Sequence, residues 1–518
     1  RAYLIKKHIV PAQPVSFFIE GDFLLPVNCG SHADYQNLVV ENLRKYYPNP
    51  DLLARSTWDI IERFWHLDLS DTDTLLTHKY SKFGPAPRTP SCMQRSYLLS
   101  IDFKVSSITE WAAQLKMNPL FAILSGFQVG DTPGVGTFYD FMKRLWDSDE
   151  PHMTSHIHPL KAKVKKPDAK GEKAASVEKV TVAELLPQLE KTAFPLNDQP
   201  YASLFKIYQK EFLDVSVEKG LIHKDSLALA GDGTPVVTSH RERKKRICKC
   251  KENGINDCSC DRYFSQPDCD IGWDSSRDCF YHGYDLYMLV DSQSDLPVFP
   301  HYSYASKHDS HGFLQAFFRM RAFLPDYKVS KVLLDSAHDA MPYYQYFKRQ
   351  NITPFIDLNG KGGRPPVYKN DFTIDKDGVP VCPSGHRMRR DGIEVAKGRM
   401  KFKCPKISHT GGCISCTCDK PCSKAKYGRT VHLILNDNPR LFNNPPRSSK
   451  EWKLEYNART SAERSNKREK LDFKLEDGRH RSTKMWYCRL YHILMLQHLD
   501  AWDLPSESPL RKLILNAA

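Results

Sequence analysis

The stretch Leu227-Ala228-Leu229-Ala230-Gly231-Asp232 marks the point where the hydrophobic pattern of the chain changes from helical to extended. It runs apolar into an acid, and the later stretch Lys331-Val332-Leu333-Leu334-Asp335 does the same. Apolar runs of this length are typical of short buried strands. We therefore predict two strands that place Asp232 and Asp335 at or just inside their ends, facing a shared cleft.

The elements predicted around these runs occur in a definite order. The predicted strands span Tyr284 to Asp291, Leu296 to Tyr304 and Ile352 to Leu358, and the predicted helices span 311–323 and 340–350. The chain therefore has three strands, then helix, strand, helix and strand, with one more long helix later. This order predicts an α/β fold, α+β over the whole chain, in which helices cover a mixed sheet of ribonuclease H-like topology.

Composition restricts the partners and the compartment. The 75 Lys and Arg residues exceed the 61 Asp and Glu residues, and the formal charge of +14 favours a polyanionic partner, although many basic proteins merely carry solvated Lys-rich faces. No apolar stretch approaches the ~18 residues of a membrane span. Fifteen cysteines without a signal peptide predict a cytoplasmic protein. Because the sequence begins at Arg1, we expect some N-terminal sequence to be missing.

The N-terminal region contains a candidate helix-turn-helix at 107–147. A capping box precedes apolar residues that predict a helix over 108–126. After a Gly-rich turn, Thr137 is predicted to cap a second short helix that presents Lys143 and Arg144 outward. The pair could place a basic helix in a DNA groove, but an ordinary helical hairpin would show the same pattern.

The segment from Tyr456 to Lys470 brings four chemically distinct residues onto one helical face. Tyr456, Arg459, Glu463 and Lys470 are separated by two, three and six residues. At ~100° per residue, these positions fall within about 60° of one another on a helix. The alternative is a solvated helix in which Arg459 and Glu463 form an ordinary (i, i+4) ion pair.

Asp232, Asp335 and Glu463 have the chemistry of a two-metal phosphoryl-transfer site. Such a site uses carboxylates to hold two ions roughly 3.5 to 4 Å apart, and Mg²⁺ prefers a few carboxylates plus water. Taken alone, Asp335 fits better as a helix cap beside Ser336. Asp357, at the end of the following predicted strand, is the main rival for the second acid.

These motifs resemble those of bacterial insertion-sequence DDE transposases. The Tyr-(2)-Arg-(3)-Glu-(6)-Lys spacing matches the signature of that family, and residues 230–235 and 333–336 resemble its first and second acidic motifs. The segment from Trp111 to Leu145 is similar to the N-terminal domain common in the family. The resemblance thus extends from about 107 to 495.

The resemblance implies an enzyme that binds the terminal repeats of an insertion sequence, cleaves DNA at its ends and joins them to target DNA. It implies double-stranded DNA as the partner, a homodimer on paired ends and a nucleoid-associated protein of the bacterial cytoplasm. The catalytic ligands of Mg²⁺ (or Mn²⁺) would be Asp232, Asp335 and Glu463. The DNA-binding residues would be Tyr456, Arg459 and Lys470, with Lys143 and Arg144 if the helix-turn-helix binds DNA. A nuclease that cuts without joining and a non-catalytic DNA-binding descendant are the alternatives.

Two Cys-rich insertions interrupt the predicted core. The first carries Cys248, Cys250, Cys258 and Cys260, and metal binding and free thiols fit it equally. In the second, we favour a structural zinc ion over free thiols, because the Cys413-x-x-Cys416 spacing suits a tetrahedral ion. The predicted zinc ligands are Cys382, Cys404, Cys413 and Cys416.

These insertions depart from the best-known family members, which carry a β domain before the catalytic Glu. Whether the enzyme uses a DNA hairpin intermediate is therefore open. Trp273 or Trp452 could hold a flipped base, although such residues are more often core or interface packing residues. The predicted divisions of the chain are a helical N-terminal region (1–151), a basic linker (152–180), a helical connector (181–225), a catalytic core (226–360 and 451–518) and the insertions (241–280 and 361–450).

Overall fold

A computed structural model describes most of the chain. The described residues are 18–19, 22–23, 30–49, 53–81, 87–148, 180–238, 245–246, 248–256, 258, 262–263, 269–359, 367–368, 372–375, 377–406, 418, 422–425, 428–503 and 509–515. The predicted linker at 152–180 lies outside them except for its last residue. Within the described residues, no helix combines the length and apolar character that crossing a membrane requires.

Helices dominate both ends of the chain. Their bounds are α1 (His32–Tyr46), α2 (Arg55–His66), α3 (Ser70–Leu76), α4 (Pro90–Asp102), α5 (Ile108–Met117), α6 (Pro119–Ser125), α7 (Val135–Arg144), α8 (Val182–Lys191), α9 (Ala202–Tyr208), α10 (Asp214–Glu218), α11 (Asp309–Phe323), α12 (Met341–Arg349), α13 (Lys450–Asn457), α14 (Thr460–Lys467), α15 (Thr483–Ala501) and α16 (Pro509–Leu515). Two π-helical segments, Gln209–Leu213 and Arg468–Asp472, follow α9 and α14 directly.

The strands lie mainly in the middle of the chain. Their bounds are β1 (Phe18–Ile19), β2 (Asp22–Phe23), β3 (Leu227–Val237), β4 (Lys245–Arg246), β5 (Arg262–Tyr263), β6 (Asp270–Asp274), β7 (Cys279–Asp291), β8 (Pro297–Tyr304), β9 (Val329–Leu334), β10 (Thr353–Ile356), β11 (Val367–Tyr368), β12 (Phe372–Ile374), β13 (Pro380–Val381), β14 (Arg389–Glu394), β15 (Arg399–Lys403) and β16 (Thr430–Ile434).

The central sheet is mixed, as predicted. Its order is β10-β9-β3-β7, and β7 also pairs with β8 and β6. The pairs β3/β7, β7/β8 and β6/β7 are antiparallel, whereas β3/β9 and β9/β10 are parallel. The α11 helix packs against β3, β7 and β8, and α14 packs against β3 and β7. The chain is therefore an α/β protein built around a helix-covered mixed sheet.

One large hydrophobic core joins the N-terminal helices to this sheet. The α15 helix is buried along nearly its whole length and packs against α4, α9 and β8. A smaller core lies among the short strands of the second insertion, where β12, β14, β15 and β16 contribute Phe372, Met400 and Leu433, among others. The insertion thus buries apolar surface of its own.

Two helix boundaries in the N-terminal region differ from the prediction. The helix predicted over 108–126 is broken at Asn118, because Pro119 disfavours helical backbone in the residue before it. The Asn118 side chain then caps α6 by accepting the Leu120 N–H at 3.0 Å. The next helix begins at Val135 after Gly134, so the predicted Thr137 cap is wrong.

Candidate active site

The parallel pairing of β3 and β9 brings two of the predicted acids side by side. Ala230 and Leu333 are the last paired residues of these strands. Asp232 and Asp335 each follow two positions later, and extended backbone repeats its side-chain direction every second residue. Asp335 is itself extended, with φ −74° and ψ 176°. Both carboxylates therefore lie on the same face of the sheet.

The third predicted acid approaches from α14. This helix packs against β3 and β7, and Asn466, one turn after Glu463, donates its amide N–H to Asp232 Oδ2 at 3.1 Å. The Glu463 side chain is half-exposed and accepts a hydrogen bond from Arg459 Nη2 at 2.6 Å. Sequence reasoning did not single out Asn466, because a lone Asn in a polar helix carries no distinctive pattern.

Electrostatics link these acids. Burial, followed by the charge of Asp309, raises the pKa of Asp232 to about 7, and the charges of Asp335 and Glu463 act in the same direction while Arg459 opposes them. A carboxyl group whose neighbours are carboxylates is stabilised in its neutral form or by a bound cation. The acids are therefore close enough to compete for the same positive charge.

Asp335 responds differently to its surroundings. Burial would raise the pKa of Asp335, but the hydrogen bond and charge of His338, the Ala337 N–H and the charge of Arg459 outweigh it and hold the pKa below its usual value. His338 Nδ1 lies 2.6 Å from Asp335 Oδ1, and the Ala337 N–H donates to the same oxygen at 3.1 Å. Asp335 is thus held as a carboxylate.

Two further acids, Asp309 and Asp285, lie at the site and were not predicted. Asp309 is the first residue of α11, and a Cβ at Gly233 would lie 2.5 Å from its Oδ1, so any side chain there would displace this carboxylate. Asp285, in β7, is buried and pairs with Pro235 of β3. Burial, followed by the Asp309 charge, raises the pKa of Asp285 well above the usual value. In the sequence, Asp309 looks like a helix-capping residue and Asp285 like one position of a strand.

The signature segment is not one continuous helix, contrary to the prediction. The α13 helix ends at Asn457 and α14 begins at Thr460, joined by a tight turn in which the Arg459 N–H donates to Tyr456 O at 2.9 Å. The Arg459 guanidinium carbon lies 5.8 Å from the centre of the Tyr456 ring. Arg459 therefore pairs with Glu463 and also lies at the edge of the carboxylate cluster.

Lys470 lies in the π-helical segment after α14. Its ammonium group donates to Pro235 O in β3 and lies 3.5 Å from Glu476 Oε1. Its positive charge also acts to lower the pKa of Asp285, against the larger effects of burial and the Asp309 charge. Tyr456 stacks on the buried Trp452 with ring centroids 4.6 Å apart. In this structure both residues are therefore engaged with the protein itself.

Lys143 and Arg144 lie among the N-terminal helices, whereas the rival acid Asp357 follows β10 beside Asp335. Lys143 and Arg144 end α7, which packs against α4 and α5. Lys143 is exposed, whereas the Arg144 guanidinium carbon lies 4.3 Å from the centre of the Tyr80 ring. The rival acid Asp357 is exposed and accepts the Leu358 N–H at 2.9 Å.

The two tryptophans considered for base holding differ in exposure. Trp452 is buried and contacts Phe355 as well as Tyr456. Trp273, in β6, is 51% exposed beside the exposed Phe280, with ring centroids 4.8 Å apart. Of the two, only Trp273 has a ring accessible from solvent.

Two groups of cysteines lie in the insertions. In the second insertion, Cys382 and Cys404 are buried, and their thiols add to burial in raising the pKa of Cys422. The predicted ligands Cys413 and Cys416 lie outside the described residues. In the first insertion, the sulfur atoms of Cys248, Cys250 and Cys258 lie within 4.8 Å of one another, whereas Cys260 lies outside the described residues.

Comparison with known proteins assigns no family to this chain. No family model matches it, and no curated protein matches it either. Its function must be inferred from its own residues and their geometry.

Proposed function

We propose that the chain is a DDE transposase that cleaves DNA at the ends of an insertion sequence and joins those ends to target DNA. The observation that carries the proposal is geometric: Asp232 and Asp335 each follow the last paired residues of β3 and β9 by two positions, and the helix of Glu463 packs on β3 and bonds Asp232 through Asn466. The three acids come from a strand, the end of a neighbouring strand and a helix far along the chain. Such convergence of carboxylates is the basis of two-metal phosphoryl transfer.

We also propose that the central sheet has ribonuclease H-like topology. The support is its connectivity: β3, β7 and β8 form an antiparallel meander, and β9 and β10 extend the sheet in parallel from the free edge of β3. The α11 helix crosses from β8 to β9, and α14 arrives last against β3 and β7.

The donor set at the site fits Mg²⁺ or Mn²⁺. Carboxylate oxygens are the preferred ligands of both ions, and Asp232, Asp335 and Glu463 would hold them. When bound, the ions supply activation of the attacking water or hydroxyl and neutralise the developing phosphoryl charge. Asn466 would orient Asp232 and Arg459 would orient Glu463, and the guanidinium charge would stabilise the phosphate.

The proposed partner is double-stranded DNA, at both element ends and target. The formal charge of +14 favours phosphate binding, and Arg459 stands beside the acids at the point where a scissile phosphate would enter. We propose that Tyr456 and Lys470 release their present contacts to hold the DNA end, that Lys143 and Arg144 bind DNA through α7, and that the chain acts as a homodimer on paired ends.

Structural zinc is a separate part of the proposal. The burial of Cys382 and Cys404 near Cys422 supports one ion in the second insertion. The clustering of Cys248, Cys250 and Cys258 supports a second ion in the first insertion. Neither ion would take part in phosphoryl transfer.

A joining assay distinguishes a transposase from a nuclease. Purified protein, Mg²⁺, a labelled duplex carrying a candidate element end and a supercoiled target plasmid are incubated together. We expect a cut at the element end and a labelled product covalently joined to the plasmid. Cleavage without any joined product would show a nuclease instead, and end binding without cleavage would show a non-catalytic DNA-binding protein.

A further inference from the structure

A buried chain of hydrogen bonds lies behind Asp335. His338 Nδ1 is 2.6 Å from Asp335 Oδ1, and His338 Nε2 is 2.9 Å from the hydroxyl of Tyr287. Both His338 and Tyr287 are fully buried, with 1% and 0% of their surface exposed. This series of hydrogen bonds thus runs from the cleft into the core, with the Asp335 carboxylate at one end and the Tyr287 phenol at the other.

The local backbone brings the three hydrogen-bonded side chains together. After β9, a 3-10 turn at Ser336–His338 folds the imidazole back onto Asp335. On the opposite side, Tyr287 crosses β3 at Gly231, where a Cβ would lie 2.8 Å from the tyrosine hydroxyl. Any side chain at Gly231 would therefore displace the hydroxyl that reaches His338.

The hydrogen bonds also distinguish the two oxygens of Asp335. Within the described residues, both hydrogen bonds that Asp335 accepts, from Ala337 N and His338 Nδ1, end on Oδ1. Oδ2 is therefore the oxygen left for a ligand. For His338 to donate to a carboxylate, Nδ1 must carry a proton, and Nε2 then shares the second hydrogen bond with the Tyr287 hydroxyl, which can donate or accept.

We propose that His338, itself held by Tyr287, is a positioning residue that turns Asp335 Oδ2 toward a divalent cation. The inference rests on the proposed function, because it needs Asp335 to be a metal ligand. A partner that orients a ligating group from behind commonly changes metal affinity roughly ten- to a hundredfold when it is removed. A histidine that merely filled the core would leave metal affinity unchanged.

Two substitutions of similar size separate these roles. In His338→Asn the amide nitrogen lies near the former Nδ1 and keeps a donor for Asp335. In His338→Gln the amide lies near the former Nε2, so it keeps contact with Tyr287 and loses Asp335. Tyr287→Phe removes only the outer bond and is the mildest change, which guards against failure of the histidine variants to fold.

The test measures Mn²⁺ affinity by electron paramagnetic resonance of the free ion, and thermal unfolding without metal as the folding control. We expect His338→Gln to bind Mn²⁺ roughly tenfold or more weakly than wild type, and His338→Asn and Tyr287→Phe, which keep a donor for Asp335 but lose the outer bond, to bind it only a few times more weakly. If the folded Asn and Gln variants bind Mn²⁺ equally well, the inference is wrong while the proposed function stands. The same holds if both histidine variants unfold and Tyr287→Phe binds Mn²⁺ with wild-type affinity. If wild type binds no Mn²⁺, or if Asp232→Asn does not abolish its binding, the proposed function is wrong as well.

Discussion

Asp335 serves two purposes through different atoms. Its Oδ1 caps the following turn by accepting the Ala337 N–H, as its position before Ser336 would predict for a capping residue. Its charge also acts on Asp232 across the strand ends. Capping and metal binding are therefore compatible, since a carboxylate has two oxygens. From the sequence alone, capping and metal binding are competing interpretations of Asp335.

The choice between Asp335 and Asp357 as the second acid is testable at this scale. Asp335→Asn should abolish end cleavage, because the amide lowers the negative charge at the metal site while most DNA affinity persists through phosphate contacts elsewhere. Asp357→Asn is the matched control and should cut at the wild-type rate, since Asp357 is exposed and bonds only its neighbour's amide among the described residues. The reverse pattern in a gel cleavage assay would transfer the role to Asp357.

Arg459 offers a second residue-scale prediction. Arg459→Ala should slow single-turnover end cleavage tenfold or more, which is ~1.4 kcal/mol or greater on the barrier. Arg459→Lys should restore only part of the rate, because an ammonium cannot reproduce the guanidinium fork. Arg464→Ala is the control on the same helix, since the exposed Arg464 pairs with Asp295 at 2.6 Å. Wild-type rates in Arg459→Ala would reduce the signature to a surface ion pair.

At the scale of elements, the strands that carry Asp232 and Asp335 were predictable, whereas the break in the signature segment was not. The apolar runs before Asp232 and Asp335 identified β3 and β9, because buried strands require such runs, but β3 continues to Val237, so Asp232 lies in the middle of its strand and not at its end as predicted. The break between α13 and α14 carries no Pro or Gly, so no local signal marks it. Asp309 reached the site only through the packing of α11 on the sheet, which is a long-range property.

Each π-helical segment buries one glutamate. Glu211 accepts hydrogen bonds from the N–H and the hydroxyl of Thr72 in α3, at 2.7 and 2.8 Å. Glu469 lies beside Ser465 and Gln497. Burial raises the pKa of both glutamates to about 8. The extra residue of each π turn thus brings an acid into the core, where it is neutral below that pH.

Glu211 therefore predicts a pH dependence of stability away from the active site. Its pKa is raised in the folded state, so the folded protein keeps a proton that the unfolded chain releases above its ordinary value of 4.5. The Glu211 contribution to stability is fully present below that value and is lost as the pH rises through about 8. Glu211→Gln should flatten the fall of the melting temperature between pH 5 and 9, whereas exposed Glu218→Gln should not. Parallel curves for Glu211→Gln and wild type would contradict this.

At the scale of the whole molecule, one core connects the helical N-terminal region to the sheet. Gln94 in α4 faces His492 in α15 at 2.9 Å, and Arg63 in α2 pairs with Asp102 at 3.0 Å and with Asp500 at the end of α15. The buried α15 helix therefore links α4, on which α7 packs, to β8 of the central sheet. The composition of the sequence indicates where segments begin and end. It does not indicate how they pack against one another, so it did not predict this shared core.

The second insertion has its own small core, and zinc should contribute to it. We expect purified protein to contain zinc by elemental analysis, and Cys404→Ser to lose one equivalent and destabilise the insertion, because metal-binding energy there is folding energy. Cys488→Ser, which alters a buried cysteine of α15, is the matched control and should keep its zinc. Unchanged zinc content in Cys404→Ser would remove this cysteine from the site.

The most direct test of the account is metal-dependent cleavage of element-end DNA by wild type and by Asp232→Asn, Asp335→Asn and Glu463→Gln, with DNA affinity measured in parallel. The account predicts cutting by wild type only with Mg²⁺ or Mn²⁺, no cutting by any of the three variants, and nearly unchanged affinity in all four proteins. Wild-type cutting in chelator, or a wild-type rate in any one of the three variants, would contradict it.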